Sequence, residues 1–245
     1  ARNTTAGNNT AVGYLAMLNN ITGIQNVAVG TFALDANTTA DNNVAIGYQS
    51  LGLNTTGTQN VGVGTSSLQL GAAAGLANTT GSNNLFLGHN AGRTGSPGGN
   101  NTTGSGSIFI GDGNIGDAYV QVDWTIASDK RDKTDVEPIK TGLDFVNKLE
   151  PVTYRWDKRF KYGNKYADDY DLNAQIPDGT HKEDWLDVGF LAQDVEQLEA
   201  EYGYNMQDKT NLATRISDDG KQYHLKYSKF IPSLVKAVQE LSTQV

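Results

Sequence analysis

Ala127-Ser128-Asp129-Lys130-Arg131-Asp132-Lys133 is the stretch at which one kind of chain gives way to another. Before it the sequence is rich in Gly, Asn and Thr, repetitive and nearly uncharged. After it the sequence is charged, aromatic and free of repeats. Residues 1–127 hold two basic residues (Arg2, Arg93) and five acidic ones (Asp35, Asp41, Asp112, Asp117, Asp123), a charge of −3. The other 118 residues hold 17 basic and 22 acidic residues, a charge of −5. Two folds are therefore expected to meet at this seam. Neither half has the basic excess of a nucleic-acid binder. The absence of cysteine removes disulfides and thiolate metal sites. No apolar run is long enough to predict membrane insertion, and no cofactor or metal is expected.

On the N-terminal side, Gly13, Gly30, Gly47 and Gly64 lie 17 residues apart, and Gly88 and Gly111 follow at spacings of 24 and 23. An asparagine stands four residues before each of the first five glycines: Asn9, Asn26, Asn43, Asn60 and Asn84. The positions three and one before each glycine are mostly β-branched or apolar, as in Val27/Val29, Val44/Ile46, Val61/Val63, Leu85/Leu87 and Ile108/Ile110. This alternation predicts a short strand per copy with those apolar residues on its buried face. The small residue between them (Ala11, Ala28, Ala45, Gly62) is expected to admit another layer closely. Three residues past each glycine comes Ala or Ser (Ala16, Ala33, Ser50, Ser67, Ala91), and Leu34, Leu51 and Leu68 follow. Asn-Thr-Thr segments at Asn37, Asn54 and Asn78 carry turn chemistry. They also match the glycosylation acceptor pattern, which a repeat rich in Asn and Thr produces by composition alone. Seventeen residues suit one coil of a roll better than a hairpin, and the insertions after Gly64 and Gly88 are expected to bulge from one corner.

Each copy offers too few large apolar side chains to bury a core alone, so stacking and association of several chains are expected, most simply as a homotrimer. Over residues 3–92 the copies resemble the head repeats of trimeric autotransporter adhesins. The reading divides the chain into a repeat β-roll or triple β-helix stalk (1–92), a neck and linker (93–127) and a C-terminal α+β domain (128–245). Within the neck, Arg93 to Gly106 reads as a Gly/Ser linker, and Ala118 to Ile126 as a last strand leading to Ser128.

C-terminal to the seam, Thr141 is placed to cap a helix through Leu149, and Pro151–Trp156 and Trp185–Leu191 read as strands. Gln193–Glu201 reads as a helix, and Thr214–Ile216 with Gln222–Leu225 as a hairpin turning at Asp218-Asp219-Gly220. Lys229 to Leu241 forms a long amphipathic helix, with Phe230, Leu234, Val238 and Leu241 on one stripe. The Tyr-rich loop 157–184, with Tyr162, Tyr166 and Tyr170, reads as a contact surface against the stalk or a neighbouring subunit.

Four blocks then occur in order: Ser128-Asp129-x-Arg131-x-Lys133; Leu149-x-Pro151-Val152-x-Tyr154-x-Trp156; Gly189-Phe190-Leu191-Ala192-Gln193-Asp194-Val195-Glu196; and Leu234-Val235-Lys236-Ala237-Val238-Gln239-Glu240-Leu241. Together they resemble the intramolecular chaperone of phage endosialidases and tail fibres, a trimerising domain that cuts itself away. The resemblance implies the C-terminal part of a viral tail fibre or tailspike, with the rest of that fibre as partner. It implies virion location and release of the chaperone in the host cytoplasm. It also implies single-turnover autoproteolysis of the Ala127–Ser128 bond, with Ser128 as nucleophile and Lys133 as base.

The residues themselves leave alternatives open. Ser128 or Asp129 would serve equally as a helix N-cap, with Lys133 a solvated charge, and Asp132 and Asp135 compete for the Lys133 ammonium. His89, His181 and His224 sit in no recognisable triad motif. A spacing of five places two residues about 140° apart on a helix, so the dyad requires a turn between them. Lys130 and Arg131 are neighbouring cations that would favour a neutral lysine. The rival functional reading is a stalk that binds a host-surface glycan, joined to a purely structural trimerisation domain.

Overall fold

The computed structural model describes residues 5–65, 73–167 and 169–244, so Ser67 and Leu68 and the insertion after Gly64 lie outside the described residues. Two compact units are formed. The first comprises Ala1–Gly116, Asp157–Lys182 and Ile216–Gln222; the second comprises Asp117–Trp156, Glu183–Arg215 and Tyr223–Val245.

In the first unit, six three-residue strands form one parallel sheet in sequence order: β1 (Thr10–Val12), β2 (Val27–Val29), β3 (Val44–Ile46), β4 (Val61–Val63), β5 (Leu85–Leu87) and β6 (Ile108–Ile110). Each residue pairs with its equivalent in the next copy, as in Val27↔Val44 and Val61↔Leu85. The turns between strands stack in the same register. Met17 donates its amide to the Ala33 carbonyl, Leu34 to Ser50 and Leu51 to Ala74. Every copy thus forms one coil laid on the next. Twelve of the described non-glycine residues at or before Asn90 adopt a left-handed conformation, at recurring positions such as Asn8, Gln25, Asn42, Gln59 and Asn83. This recurrent turn closes so short a coil.

The interior is inverted relative to the expectation from alternation. The middle residue of each strand points inward, with Ala28, Ala45 and Phe86 at 0 % exposure, while Val29, Ile46, Ile108 and Ile110 face out and are exposed. A 17-residue coil is too narrow for two layers of branched side chains, so only Ala or Gly fits its strand-side interior. In the longer copies the wider coil admits Phe86 and Phe109, which stack with ring centroids 5.1 Å apart. Leu34 and Leu51 fill the space opposite the strands.

Two asparagine columns bind the coils together. In one, Asn26 Oδ1 accepts from the Asn43 amide at 2.9 Å and Asn43 Oδ1 accepts from the Asn60 amide at 2.9 Å. In the other, Asn37 Nδ2 donates to Asn20 Oδ1 at 2.8 Å and Asn78 Nδ2 to Asn54 Oδ1 at 3.0 Å. These fully buried amides satisfy carbonyls that a thin apolar core would leave unpaired. Residues 93–106, which composition presents as a linker, are a stacked coil instead. The Thr79 amide donates to the Thr102 carbonyl at 2.8 Å, and Asn84 Nδ2 to the Gly104 carbonyl at 2.8 Å. Gly/Ser content reflects the coil's tight turns, not flexibility.

The loop at 157–182 packs on these coils. Tyr166 Oη accepts from Asn90 Nδ2 at 3.0 Å, Lys158 Nζ donates to the Gly113 carbonyl at 2.9 Å, and Phe160 lies buried against Gly95 and Gly113. The expected contact between loop and repeat is therefore present within one chain. Of the three spaced tyrosines, Tyr166 alone makes it by a hydrogen bond among the described residues. Tyr162 donates to Asp157 at 2.7 Å and Tyr170 to the Arg159 carbonyl, bracing the loop itself.

The second unit carries α1 (Leu143–Lys148), β7 (Val152–Tyr154), β8 (Asp187–Gly189), α2 (Ala192–Glu201), β9 (Thr214–Ile216), β10 (Tyr223–Leu225) and α3 (Phe230–Ser242). β7 and β8 pair antiparallel, with Val152 opposite Gly189. Phe145, Val195, Leu198, Ala213 and Phe230 form the core. Thr141 does not cap α1: its hydroxyl meets Ser233 at 2.6 Å, and Glu240 of α3 accepts the Leu143 amide at 2.7 Å. Ala118–Ile126 is not a strand. It has no ladder partner among the described residues, and Val120, Val122, Trp124 and Ile126 all stand exposed.

Candidate active site

The seam folds as a single 3₁₀ turn, Lys130–Asp132. Asp129 begins it as N-cap, its carboxylate accepting the Arg131 amide at 2.9 Å. The Arg131 guanidinium closes on the same carboxylate at 2.6 Å. That contact first, and the backbone hydrogen bond second, hold the Asp129 carboxyl below the usual carboxylate range. Both groups are exposed, so the clamp shapes the turn more than it stabilises the protein. Asp129 is thus the cap that one sequence alternative expected, and its pairing neutralises the Arg131 charge otherwise available to Lys133.

One turn of 3₁₀ geometry followed by an extended Lys133 (φ −117°, ψ 138°) brings the chain back on itself. Lys133 Nζ stands 2.6 Å from Ser128 Oγ and 3.1 Å from the Ser128 carbonyl oxygen. The ammonium is therefore directed at Ser128 rather than at Asp132 or Asp135. Five residues of sequence give a side-chain contact because the intervening turn is not α-helical. The second acceptor, the carbonyl of Ser128 itself, was not foreseeable from spacing. It gives the lysine two points of attachment and fixes the approach of its amine to the hydroxyl.

Ser128 and Lys133 are both exposed in the single chain. The arrangement holds a hydroxyl nucleophile and an amine within proton-transfer distance, the minimum for nucleophilic catalysis with a lysine base. An open groove of 470 Å³ beside Leu149, Phe190, Leu191 and Val195 is lined by neither residue.

The segment that carries this contact is similar to a known class of chaperone domains. Residues 128–204 match the family model described as chaperone of endosialidase, a serine-type peptidase family, and the match begins at Ser128 itself. The match spans 77 of the chain's 245 residues; over that segment it supports an intramolecular chaperone domain, and the family's description implies a chaperone role of the tail-fibre and endosialidase kind. The block at 234–241 and all of α3 lie beyond the matched span, as do the repeats. Comparisons with curated proteins and with solved structures returned no match.

Proposed function

We propose that this chain is the C-terminal part of a viral tail fibre or tailspike, in which residues 128–245 trimerise, direct the folding of a β-roll stalk, and then detach by cutting the Ala127–Ser128 bond. The observation that carries the reading is the 2.6 Å contact of Lys133 Nζ with Ser128 Oγ at the first residue of the chaperone match. Ser128 Oγ attacks the Ala127 carbonyl carbon and passes its proton to the neutral Lys133 amine. The C–N bond breaks as the Ser128 nitrogen takes up a proton, leaving an ester between Ala127 and the Ser128 side chain. Water hydrolyses the ester, restoring the Ser128 hydroxyl and leaving Ala127 as a C-terminal carboxylate.

A lysine acts as base only where burial or nearby positive charge displaces its proton. The exposed dyad of a single chain lacks that burial, and three chains closing around the seam would provide it. Three uncovered apolar surfaces support association: the outward row Val29, Ile46, Ile108 and Ile110; the segment Val120, Val122, Trp124 and Ile126; and the α3 face of Ile231, Leu234, Val235, Val238 and Leu241. Exposed apolar rows of this extent mark protein interfaces. The assembled fibre is placed in the virion, with the chaperone left in the host cytoplasm.

Intact-mass measurement and N-terminal sequencing of the purified protein test the reading. The expected products are residues 1–127 and 128–245, absent in Ser128→Ala and absent or greatly slowed in Lys133→Ala. A single uncut chain beginning at residue 1 after prolonged incubation of the assembled trimer at neutral pH would refute it.

A further inference from the structure

The tip of the β9–β10 hairpin meets the coil at 93–106 in a way that repeats how one coil meets the next. In two of the preceding coils, the residue before the Asn-led turn donates its amide to a carbonyl of the following coil. Asn19 donates to the Asp35 carbonyl at 3.1 Å, and Ala36 to the Gly52 carbonyl at 3.1 Å. Asn100 occupies the same position before Asn101-Thr102-Thr103-Gly104, and its amide donates to Asp219 Oδ2 at 3.0 Å. A side-chain carboxylate stands where the next coil would have placed a peptide carbonyl.

Where a glycine closes the turn, as at Gly57, Gly81 and Gly104, the neighbouring oxygen follows the same pattern. A β-carbon on Gly57 would stand 2.2 Å from the Gly81 carbonyl oxygen, and one on Gly81 would stand 2.2 Å from the Gly104 carbonyl oxygen. A β-carbon on Gly104 would stand 2.0 Å from Asp218 Oδ2. Asp218 Oδ2 therefore occupies the place at which a following coil would set its glycine carbonyl oxygen. The amide of Asn101, last of its column, is buried with neither its oxygen nor its nitrogen paired, so the protein ladder ends here.

The tip is stiff enough to hold this pattern. Asp219 Oδ1 is occupied by the Ser217 hydroxyl and the Lys221 amide, which leaves Oδ2 to face Asn100. Ser217 and Gln222 pair across the turn, the Ser217 amide donating to the Gln222 carbonyl at 2.8 Å. Arg159 NH2 donates to the Lys221 carbonyl at 2.6 Å, and Lys221 Nζ reaches Asp171 at 2.9 Å, tying the tip to the 157–182 loop.

We infer that Asp218 and Asp219 are a template that imitates the next coil, offering carboxylate oxygens at the positions of peptide carbonyls to the coil formed by residues 93–106. The partner surface is the open end of a coil of this repeat, read by its amide donor at Asn100 and its close-approach glycine at Gly104. The template orders that coil before any further partner covers it. Given the release step proposed above, it leaves with the chaperone.

The test uses the full chain with Ser128→Ala, so that neither cutting nor its failure affects the readout. Hydrogen exchange at the Asn100 amide is measured in Asp219→Ala, and the yield of protease-resistant stalk in Asp218→Asn and Asp218→Lys. Removing the Asp219 acceptor should speed Asn100 exchange at least tenfold, while Ser217 and Gln222 protection reports whether the hairpin itself persists. Asp218→Asn keeps an amide oxygen, the same acceptor as a peptide carbonyl, and should give stalk within about twofold of the parent; Asp218→Lys should lower it severalfold. Unchanged Asn100 exchange with the hairpin intact overturns the inference. So does Asp218→Asn as damaging as Asp218→Lys, since the negative charge and not the acceptor would then matter. Should Asp219→Ala unfold the hairpin, the two Asp218 variants decide alone.

Discussion

Replacing Asn43 by aspartate changes one atom and should nevertheless be among the most damaging substitutions in the repeat. Asn43 is fully buried, its Nδ2 donating to the Gly57 carbonyl at 2.9 Å and to Asn26 Oδ1 at 3.3 Å, while its Oδ1 accepts from the Asn60 amide at 2.9 Å. In Asn43→Ala the Asn60 amide loses its acceptor, which costs about 1–3 kcal/mol. The Gly57 carbonyl keeps the Asn54 amide at 2.8 Å. In Asn43→Asp the retained oxygen still serves Asn60, but the other oxygen faces two acceptors. No Lys or Arg lies between Arg2 and Arg93 to balance the charge. A buried unpaired carboxylate costs several kcal/mol or takes up a proton instead, so aspartate should be worse than alanine by roughly 1–3 kcal/mol near neutrality. The sign with pH follows. Burial raises the folded pKa above the unfolded value of about 3.9, so the penalty is small near that pH and grows as pH rises toward the folded pKa. Urea unfolding of Ser128→Ala chains with and without the change, at pH 7.5 and pH 4.5, measures the difference directly. An Asn43→Asp chain as stable as its parent at pH 7.5, or a penalty that does not shrink on acidification, would refute the directional column of amides.

Three further outcomes are expected. The Lys221 ammonium first, and the Asn173 amide second, hold the Asp171 carboxyl below the ordinary range. Its contribution to loop closure is thus complete above about pH 4 and is lost as pH falls through the lower folded value; Asp171→Asn should remove that dependence from hydrogen exchange across 157–182. Gln59 holds φ 59°, where Asn stands in the neighbouring copies at Asn42 and Asn83, so Gln59→Asn should raise stability by about 0.5 kcal/mol in urea unfolding. Leu234→Glu with Val238→Glu places charge on the exposed face of α3 without touching the Phe145–Phe230 core. Light scattering should then report monomers, and cleavage should cease with association.

The 17-residue period was legible because each coil needs the same chemistry at the same place. A glycine at φ 137° in Gly30 closes the strand, and an asparagine at Asn26 feeds the column. Which strand face turns inward was not legible. Alternation places large apolar residues inside only when the interior is wide enough to hold them, and that width is a property of the closed coil. The constant small residue at Ala28 and Ala45 was the available signal, and it marked the core itself. At the seam, Ser128 and Lys133 were legible as a pair through the ordered blocks and not through their spacing, which a helix would have pulled apart. The role of Asp218 and Asp219 could not be read, because Asp-Asp-Gly in a hairpin specifies a turn and says nothing of what the turn faces. The coil at 93–106 was hidden for a related reason: turn-forming residues dominate flexible linkers and tight coils alike.

The inverted coil also explains why such a stalk would need help that an ordinary domain does not. A chain that keeps Ala inside and Val or Ile outside gains little by closing one coil, since its larger apolar side chains are covered only by a neighbour. Its asparagine columns compound this, because each buried amide is satisfied only after the next coil has formed. Both features defer the favourable terms to late steps, while the entropy of ordering each coil is lost at once. On the proposed reading the C-terminal segment meets the two demands separately. The apolar face of α3 gathers chains and raises their local concentration, while Asp218 and Asp219 offer acceptors that would otherwise await another coil. Cutting at Ala127–Ser128 must then come last, because a chaperone severed early leaves its coils both unneighboured and unended. On the same reading, a lysine at Lys133 that stays exposed until chains assemble would enforce that order without any separate timer.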